Sequence, residues 1–174
     1  DNEHGERLCA AALSFGANVL TFGNGLRANV RMEFRKPLAD GSHVQVRVGN
    51  NRIHYFVSVP GDHIVHNSCA VVAALFAADV TQLTRAVAAL GKLDAPEGRG
   101  ARTTLPAPGG SVLLIDESYN ANPASMRPAL QVLGQPPPGP RGRRTAALGD
   151  MLDLGRTAAA LHRVPSAVTH AVRR

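Results

Sequence analysis

The stretch from Val30 to Val59 constrains the fold of this chain more than any other. Val30, Met32 and Phe34 alternate with Arg31 and Glu33. Asp40-Gly41 is a turn signal, after which Val44, Val46 and Val48 alternate with Gln45 and Arg47. Gly49-Asn50-Asn51 turns the chain again, and Ile53, Tyr55, Val57 and Val59 carry the alternation on to Pro60. Successive side chains on a strand point to opposite faces, so this period of two predicts strands with one buried and one wet face. Short turn-forming links make such strands neighbours in an antiparallel meander of about three strands.

The flanks carry helical patterns. Residues 3–14 read as a short helix with Leu8, Ala11 and Ala12 on one side, and 17–22 as a strand. After Gly61, His63 to Ala78 is apolar almost all round, through Ile64, Val65, Cys69, Val71, Val72, Leu75 and Phe76. So little polar face predicts a helix buried between layers. Thr81 is placed to cap a further helix through Leu90. Pro96-Glu97-Gly98-Arg99-Gly100 breaks both patterns and is the best boundary, giving domains at 1–97 and 98–174.

Beyond the boundary, 102–105 and 112–115 read as strands around a Pro-Gly-Gly turn. A helix follows from Pro123 to Leu133, and then a strand at 145–148. Strand, helix, strand with short links is a βαβ unit, so two of these strands are predicted parallel. Asp116, Glu117 and Asp150 would then leave one sheet edge together. Pro128 sits inside the helix, where a missing N–H and a ring clash predict a kink.

Composition excludes several classes. An apolar content of 44% suits a globular core, although Trp is absent. No run is long enough to span a membrane, and the opening residues resemble the middle of a protein rather than a leader. The formal charge of +6 is carried by Arg, with Lys only at 36 and 92. It lacks the basic stripe with interleaved aromatics of a nucleic-acid binder, so no nucleic-acid partner is expected. Cys9 and Cys69 fit no metal or redox spacing and read as buried thiols of a reducing cytoplasm.

The candidate site residues fall in three places. Asp116 and Glu117 follow a strand and precede a helix, where open α/β sheets bind ligands; either can meet ribose hydroxyls or cap the helix. Ser118, Tyr119, Asn120 and Asn122 form the polar turn between them, and Asn122 before Pro123 has the pattern of a helix cap. His63, His66 and Asn67 stand at a helix N-terminus, whose free N–H groups favour anions, though a satisfied polar cluster explains them equally. The i, i+3 spacing of His63 and His66 lacks a third metal ligand. Arg99 has the planar donor geometry for phosphate, or is a plain linker residue. His162 reads as packed or exposed rather than catalytic. No G-x-x-x-x-G-K-[ST] phosphate loop is present, because Gly91-Lys92 is followed by Leu93.

Together these segments resemble the Mur ligases. Five runs carry the likeness, in order: PGDHIVHNS from Pro60, GRG from Gly98, IDESYNANPASMR from Ile115, LGDMLDLG from Leu148, and Leu161-His162. The resemblance spans residues 1–162 and implies an α/β fold, the C-terminal half of a central ATPase domain followed by the start of a Rossmann-like C-terminal domain. In the branch it resembles, ATP converts a UDP-N-acetylmuramoyl-tripeptide carboxylate to an acyl phosphate. The amine of D-alanyl-D-alanine then attacks, Mg²⁺ offsetting phosphate charge.

By resemblance, Asn67 matches an adenine contact with His63 beside it, and Arg99 a residue directed at the ATP phosphates. Glu117 matches a ribose contact, with Asp116 as its alternative. Ser118, Tyr119, Asn120 and Asn122 match the loop facing the dipeptide, and Asp150 a supporting position at the next strand end. No catalytic or metal-ligating residue is assigned. Ile64 stands where many members have Asn, and after His162 the sequence leaves the family pattern. The expectation is an inactive, cytoplasmic, monomeric part of an ATP-dependent ligase lacking its phosphate loop. The alternatives are a non-catalytic nucleotide- or peptide-binding module, or a Mur ligase adding another amino acid.

Overall fold

The computed structural model describes residues 4–135, 137–140 and 142–163. It is a mixed α/β chain that divides into two compact units. One runs to Ser58 and resumes over Asp62–Leu93; the other joins Val59–Gly61 to the chain from Asp94 onward.

The first unit holds helix α1 (Gly5–Ser14), strands β1 (Phe22–Gly23), β2 (Val30–Leu38), β3 (Gly41–Val48) and β4 (Asn51–Val57), and helices α2 (Asp62–Ala77) and α3 (Leu83–Val87). The sheet order is β1-β2-β3-β4, with the β2-β3-β4 meander antiparallel and β1 parallel to β2. Cross-strand rows set the inner face: Met32, Val46 and Ile53 in one, Val44 and Tyr55 in another. Against this face lie Val65, Cys69, Val72 and Ala73 of α2, with Val87 of α3 and Leu90 of the 3-10 turn that follows it. Val30, Val46, Val57, Val65, Val72 and Val87 are fully buried. Each such side chain contributes about 1.5–3 kcal/mol relative to an exposed one. Gly41 opens β3 where any Cβ would collide with the Val57 carbonyl oxygen, so the close approach of β4 requires glycine there.

Several expectations are corrected in this unit. The strand read at 17–22 is reduced to Phe22–Gly23. Residues 17–21 instead form an irregular link, clamped by Asn29 Oδ1, which accepts from the Thr21 N–H and Oγ1 at 2.9 Å each. A β-bulge between Met32 and Phe34 breaks the alternation, so Phe34 pairs with Gln45 and stands 53% exposed instead of joining the core. The bulge also turns Glu33 among arginines. Its carboxylate meets Arg31 at 3.0 Å, Arg47 at 2.9 Å and Arg52 at 2.8 Å, with Gln45 donating at 2.9 Å. Helix α2 is covered along one stripe rather than between layers, leaving Val71 and Phe76 42% and 43% exposed. The helix read from Thr81 to Leu90 is broken: α3 begins at Leu83 without a side-chain cap, and a 3-10 turn takes over at Ala88–Lys92. Gly91 lies in that last turn, and glycine is a poor helix former.

The second unit holds β5 (Ala101–Ala107), β6 (Gly110–Asp116), α4 (Pro123–Gly134) and a short α5 (Ala158–Leu161). β5 and β6 form an antiparallel hairpin closed by Pro108-Gly109, with Gly109 at φ 79° as a Pro-Gly turn requires. α4 continues through Pro128 as one element. The strand read at 145–148 is absent, so no parallel βαβ unit forms among the described residues and Asp150 shares no sheet edge with Asp116. A parallel strand is stable when both its faces are covered. Thr145-Ala146-Ala147-Leu148 offers one large apolar side chain, and Leu148 is itself 50% exposed. No helix among the described residues is long and apolar enough to cross a membrane.

Candidate functional site

The second unit builds its site from a loop braced on a strand end. Asp116 closes β6, and its carboxylate accepts from the Gly98 N–H at 3.2 Å and the Ser118 N–H at 3.0 Å. Its carbonyl accepts from the Gly100 N–H at 2.7 Å, and the Tyr119 N–H donates to the Gly98 carbonyl at 3.1 Å. Gly98 sits at φ 71° with no room for a side chain: a Cβ would stand 2.9 Å from that of Tyr119. These bonds fix the Gly98-Arg99-Gly100 loop against the turn that leaves β6. Arg99 then lays its guanidinium over the Tyr119 ring, 4.2 Å from the centroid. Stacking orders the guanidinium while leaving N–H donors at its edge for a planar anion.

The two adjacent carboxylates divide their work. Asp116 is held below the usual carboxylate range by its hydrogen bonds from Ser118 and then Gly98, so it is an ionised brace with its oxygens committed. Glu117 is half-buried over Gly100. Burial, then the Asp116 charge, push its carboxyl above the usual range, against the pull of Arg99. Of the pair, Glu117 is the one whose oxygens are free of backbone donors.

The polar turn is largely self-satisfied. Asn122 Oδ1 accepts from the N–H groups of Ala124 and Ser125 at 2.9 Å each, and Ser125 Oγ accepts from the Asn122 N–H at 3.0 Å. This capping box accounts for Asn122 as a helix start. Asn120 Oδ1 accepts from Ala121 at 2.8 Å, while the side chains of Ser118 and Tyr119 stand exposed.

The first unit carries His63 and Asn67 on the opening turns of α2. The Asn67 side chain is exposed. His63 is half-buried, its Nδ1 lacks a hydrogen-bond partner, and burial holds its imidazole below the ordinary range, against the nearby Asp62. His66 lines a shallow polar hollow of about 330 Å³ with Asn24, Glu33, Arg35 and Asp62, where Arg35 and Asp62 form an ion pair. Among the described residues no group of three or more His, Cys, Asp or Glu side chains is placed to hold a metal ion.

His162 has a structural part. Its Nε2 accepts from the Met151 N–H at 2.9 Å and its Nδ1 donates to the Ala158 carbonyl at 2.8 Å, which fixes the Nδ1–H tautomer. Asp150 lies 3.9 Å away and is exposed. Sequence reading missed the Arg99–Tyr119 stack and the role of Gly98. The Gly-Arg-Gly run hinted at a tight turn, but nothing local places Tyr119 beside it.

No family model matches the chain. A curated relative from Mycobacterium bovis, named UDP-N-acetylmuramoyl-tripeptide--D-alanyl-D-alanine ligase, is 38% identical over 128 residues, 71% of this chain and 22% of its own length. MurF from Acinetobacter baumannii superposes with a TM-score of 0.80 at 24% identity, over 98% of this chain and 35% of that one. MurF from Thermotoga maritima, solved with ADP, gives 0.71 at 17% identity, over 95% of this chain and 36% of that one. The likeness to these curated relatives defines one class: the chain belongs to the Mur ligase family. Within it the likeness is to MurF, of which this is a partial chain, spanning a quarter or less of the curated relatives such as those of M. bovis and Escherichia coli.

Proposed function

We propose that this chain is part of an ATP-dependent ligase that joins D-alanyl-D-alanine to UDP-N-acetylmuramoyl-tripeptide in peptidoglycan synthesis. The observation that carries the reading is the braced Gly98-Arg99-Gly100 loop, in a chain whose relatives bear that ligase's name. In the reaction, a carboxylate oxygen of the tripeptide attacks the terminal phosphorus of ATP. The bond to the bridging oxygen breaks, giving an acyl phosphate and ADP. The dipeptide amine then attacks the acyl carbon, phosphate leaves, and the amine gives up a proton.

Positioning and charge neutralisation supply most of the catalysis in such a transfer. Arg99 neutralises developing charge on the phosphates, its guanidinium pre-ordered on Tyr119. Glu117 takes the ribose hydroxyls rather than Asp116, whose oxygens are engaged. Asn67, with the unpartnered Nδ1 of His63 nearby in sequence, meets adenine. Ser118, Tyr119 and Asn120 face the dipeptide, and Asn122 holds the helix that presents them. ATP use is supported by the ADP complex of the T. maritima neighbour. Among the described residues no group of three or more acidic, His or Cys side chains fits Mg²⁺.

The sequence lacks the G-x-x-x-x-G-K-[ST] phosphate cradle, so the chain by itself does not turn over. A phosphate-release assay with ATP, Mg²⁺, the UDP-tripeptide and D-alanyl-D-alanine is expected to stay at background. Calorimetry with ATP is expected to show weak binding that Arg99→Ala lowers several-fold. Turnover by the chain, or ATP binding indifferent to Arg99→Ala, would overturn the reading.

A further inference from the structure

The outer face of the meander carries three arginines in one cross-strand row. Arg31 on β2 lies opposite Arg47 on β3, and Arg47 lies opposite Arg52 on β4. Like charges set directly opposite each other destabilise a sheet unless something compensates them. Among the described residues the compensation comes from one carboxylate, that of Glu33, whose side chain is 10% exposed. Its Oε1 takes Arg31 Nη2 and Arg47 Nε, and its Oε2 takes Arg52 Nε and the Gln45 amide. A carboxylate offers about four acceptor sites, so these four donors exhaust it. Three guanidiniums against one carboxylate leave a surplus of two positive charges. Arg47 and Arg52 both spend Nε on Glu33, and their Nη groups engage nothing else among the described residues. These two side chains stand 40% and 63% exposed. A charged face of this kind is solvated, and unlike an apolar one it needs no covering chain.

We propose that this row is a binding site for a phosphate-class dianion, held by Arg47 and Arg52 with Glu33 as the positioning residue beneath them. Glu33 grips each of the two guanidiniums at Nε and so fixes its plane. The Nη1–Nη2 edge is left for an oxyanion, which guanidinium binds through paired N–H donors. The surplus of two charges selects a dianion over a lone carboxylate. Binding also relieves the repulsion along the row, which Glu33 offsets only in part. A network that served stability alone would gain little from arginines this exposed, since solvated ion pairs contribute little. The site lies wholly within the first unit and owes nothing to Arg99 or Glu117, so it is independent of the ligase reading.

The test is calorimetric titration of the 174-residue chain with inorganic pyrophosphate at low ionic strength. It is run in the Arg99→Ala background, so that the phosphate contact proposed above makes no contribution. Saturable binding at a single site is expected. Arg47→Lys and Arg52→Lys keep every charge but lose the planar fork, and each is expected to weaken binding at least about fivefold. Arg52 is the more exposed of the two, so its variant guards against a folding defect in the other, with far-UV circular dichroism as the check. Arg7→Gln on α1 removes a charge outside the row and is expected to leave binding unchanged. Absence of saturable binding would overturn the proposal. Binding that both Lys variants retain in full, or that Arg7→Gln weakens equally, would reduce the row to diffuse positive charge and overturn it as well.

Discussion

Tyr55 offers a sharp test of how the first unit is held together. It lies on β4, 7% exposed, with its hydroxyl 2.9 Å from Ser68 Oγ on α2. Ser68 Oγ already donates to the Val65 carbonyl at 2.6 Å, so the phenol is the donor of the pair. Burial pushes the phenol above its ordinary range near 10. Tyr55 thus stays neutral in the folded chain at a pH where the unfolded chain ionises. A group raised in this way contributes stability that is complete below its unfolded pKa and is lost as pH rises towards the folded one.

The magnitude follows from two effects of opposite sign. At about pH 8 Tyr55→Phe loses one hydrogen bond while Ser68 keeps its bond to Val65, a cost of roughly 1 kcal/mol. At about pH 11 wild type has lost about 1.4 kcal/mol to ionisation of the unfolded phenol, and the Phe variant has not. Urea unfolding by far-UV circular dichroism is therefore expected to rank wild type above the variant at the lower pH and level with or below it at the higher. Other groups titrate in both proteins, so the difference isolates Tyr55. A stability gap that does not change with pH would refute the reasoning.

Asn122→Ala removes the acceptor for two backbone N–H groups of α4 and is expected to cost about 1 kcal/mol with partial loss of helix by circular dichroism. Asn122→Asp keeps the acceptor, and an Asp variant as damaged as the Ala variant would refute the capping role. Glu33 is held below the usual carboxylate range, first by its hydrogen bond from Arg52. A lowered carboxylate contributes stability above its unfolded pKa and loses it as pH falls through the folded one. Glu33→Gln is thus expected to flatten the acid limb of the stability curve, and an unchanged acid-unfolding profile would count against the cluster.

The meander was legible because its signal is local: alternating Val, Ile and Tyr between turn residues specify strands, pairing and face together. The cap of α4 was legible for the same reason, since Asn122 and Pro123 are adjacent, while the return bond of Ser125 emerged only from the structure. The strand at 145–148 was misread because period and composition do not report whether a parallel neighbour or a covering layer is available. Phe34 was misread because a single inserted residue inverts the faces of the strand beyond it, and nothing in Met32-Glu33-Phe34 announces the insertion. At the site, the run from Asp116 to Asn122 was visible, but the split between Asp116 as brace and Glu117 as the freer carboxylate was not. That split depends on Gly98 and Gly100, far back along the chain.

The sequence by itself determined the antiparallel sheet, the existence of α2 after it, the start of α4 and the family likeness. Each of these is written in spacings of a few residues, or in motifs whose order survives without coordinates. Only the tertiary structure decided which polar groups are spent on the fold and which stay free. Hydrogen-bond capacity is finite, and its allocation depends on neighbours distant in sequence. Asp116 is consumed by Gly98 and Ser118, Asn122 by its helix, and His162 by Met151 and Ala158. Arg99, stacked on Tyr119, and Glu117, poised over Gly100, are what that accounting leaves available for a ligand.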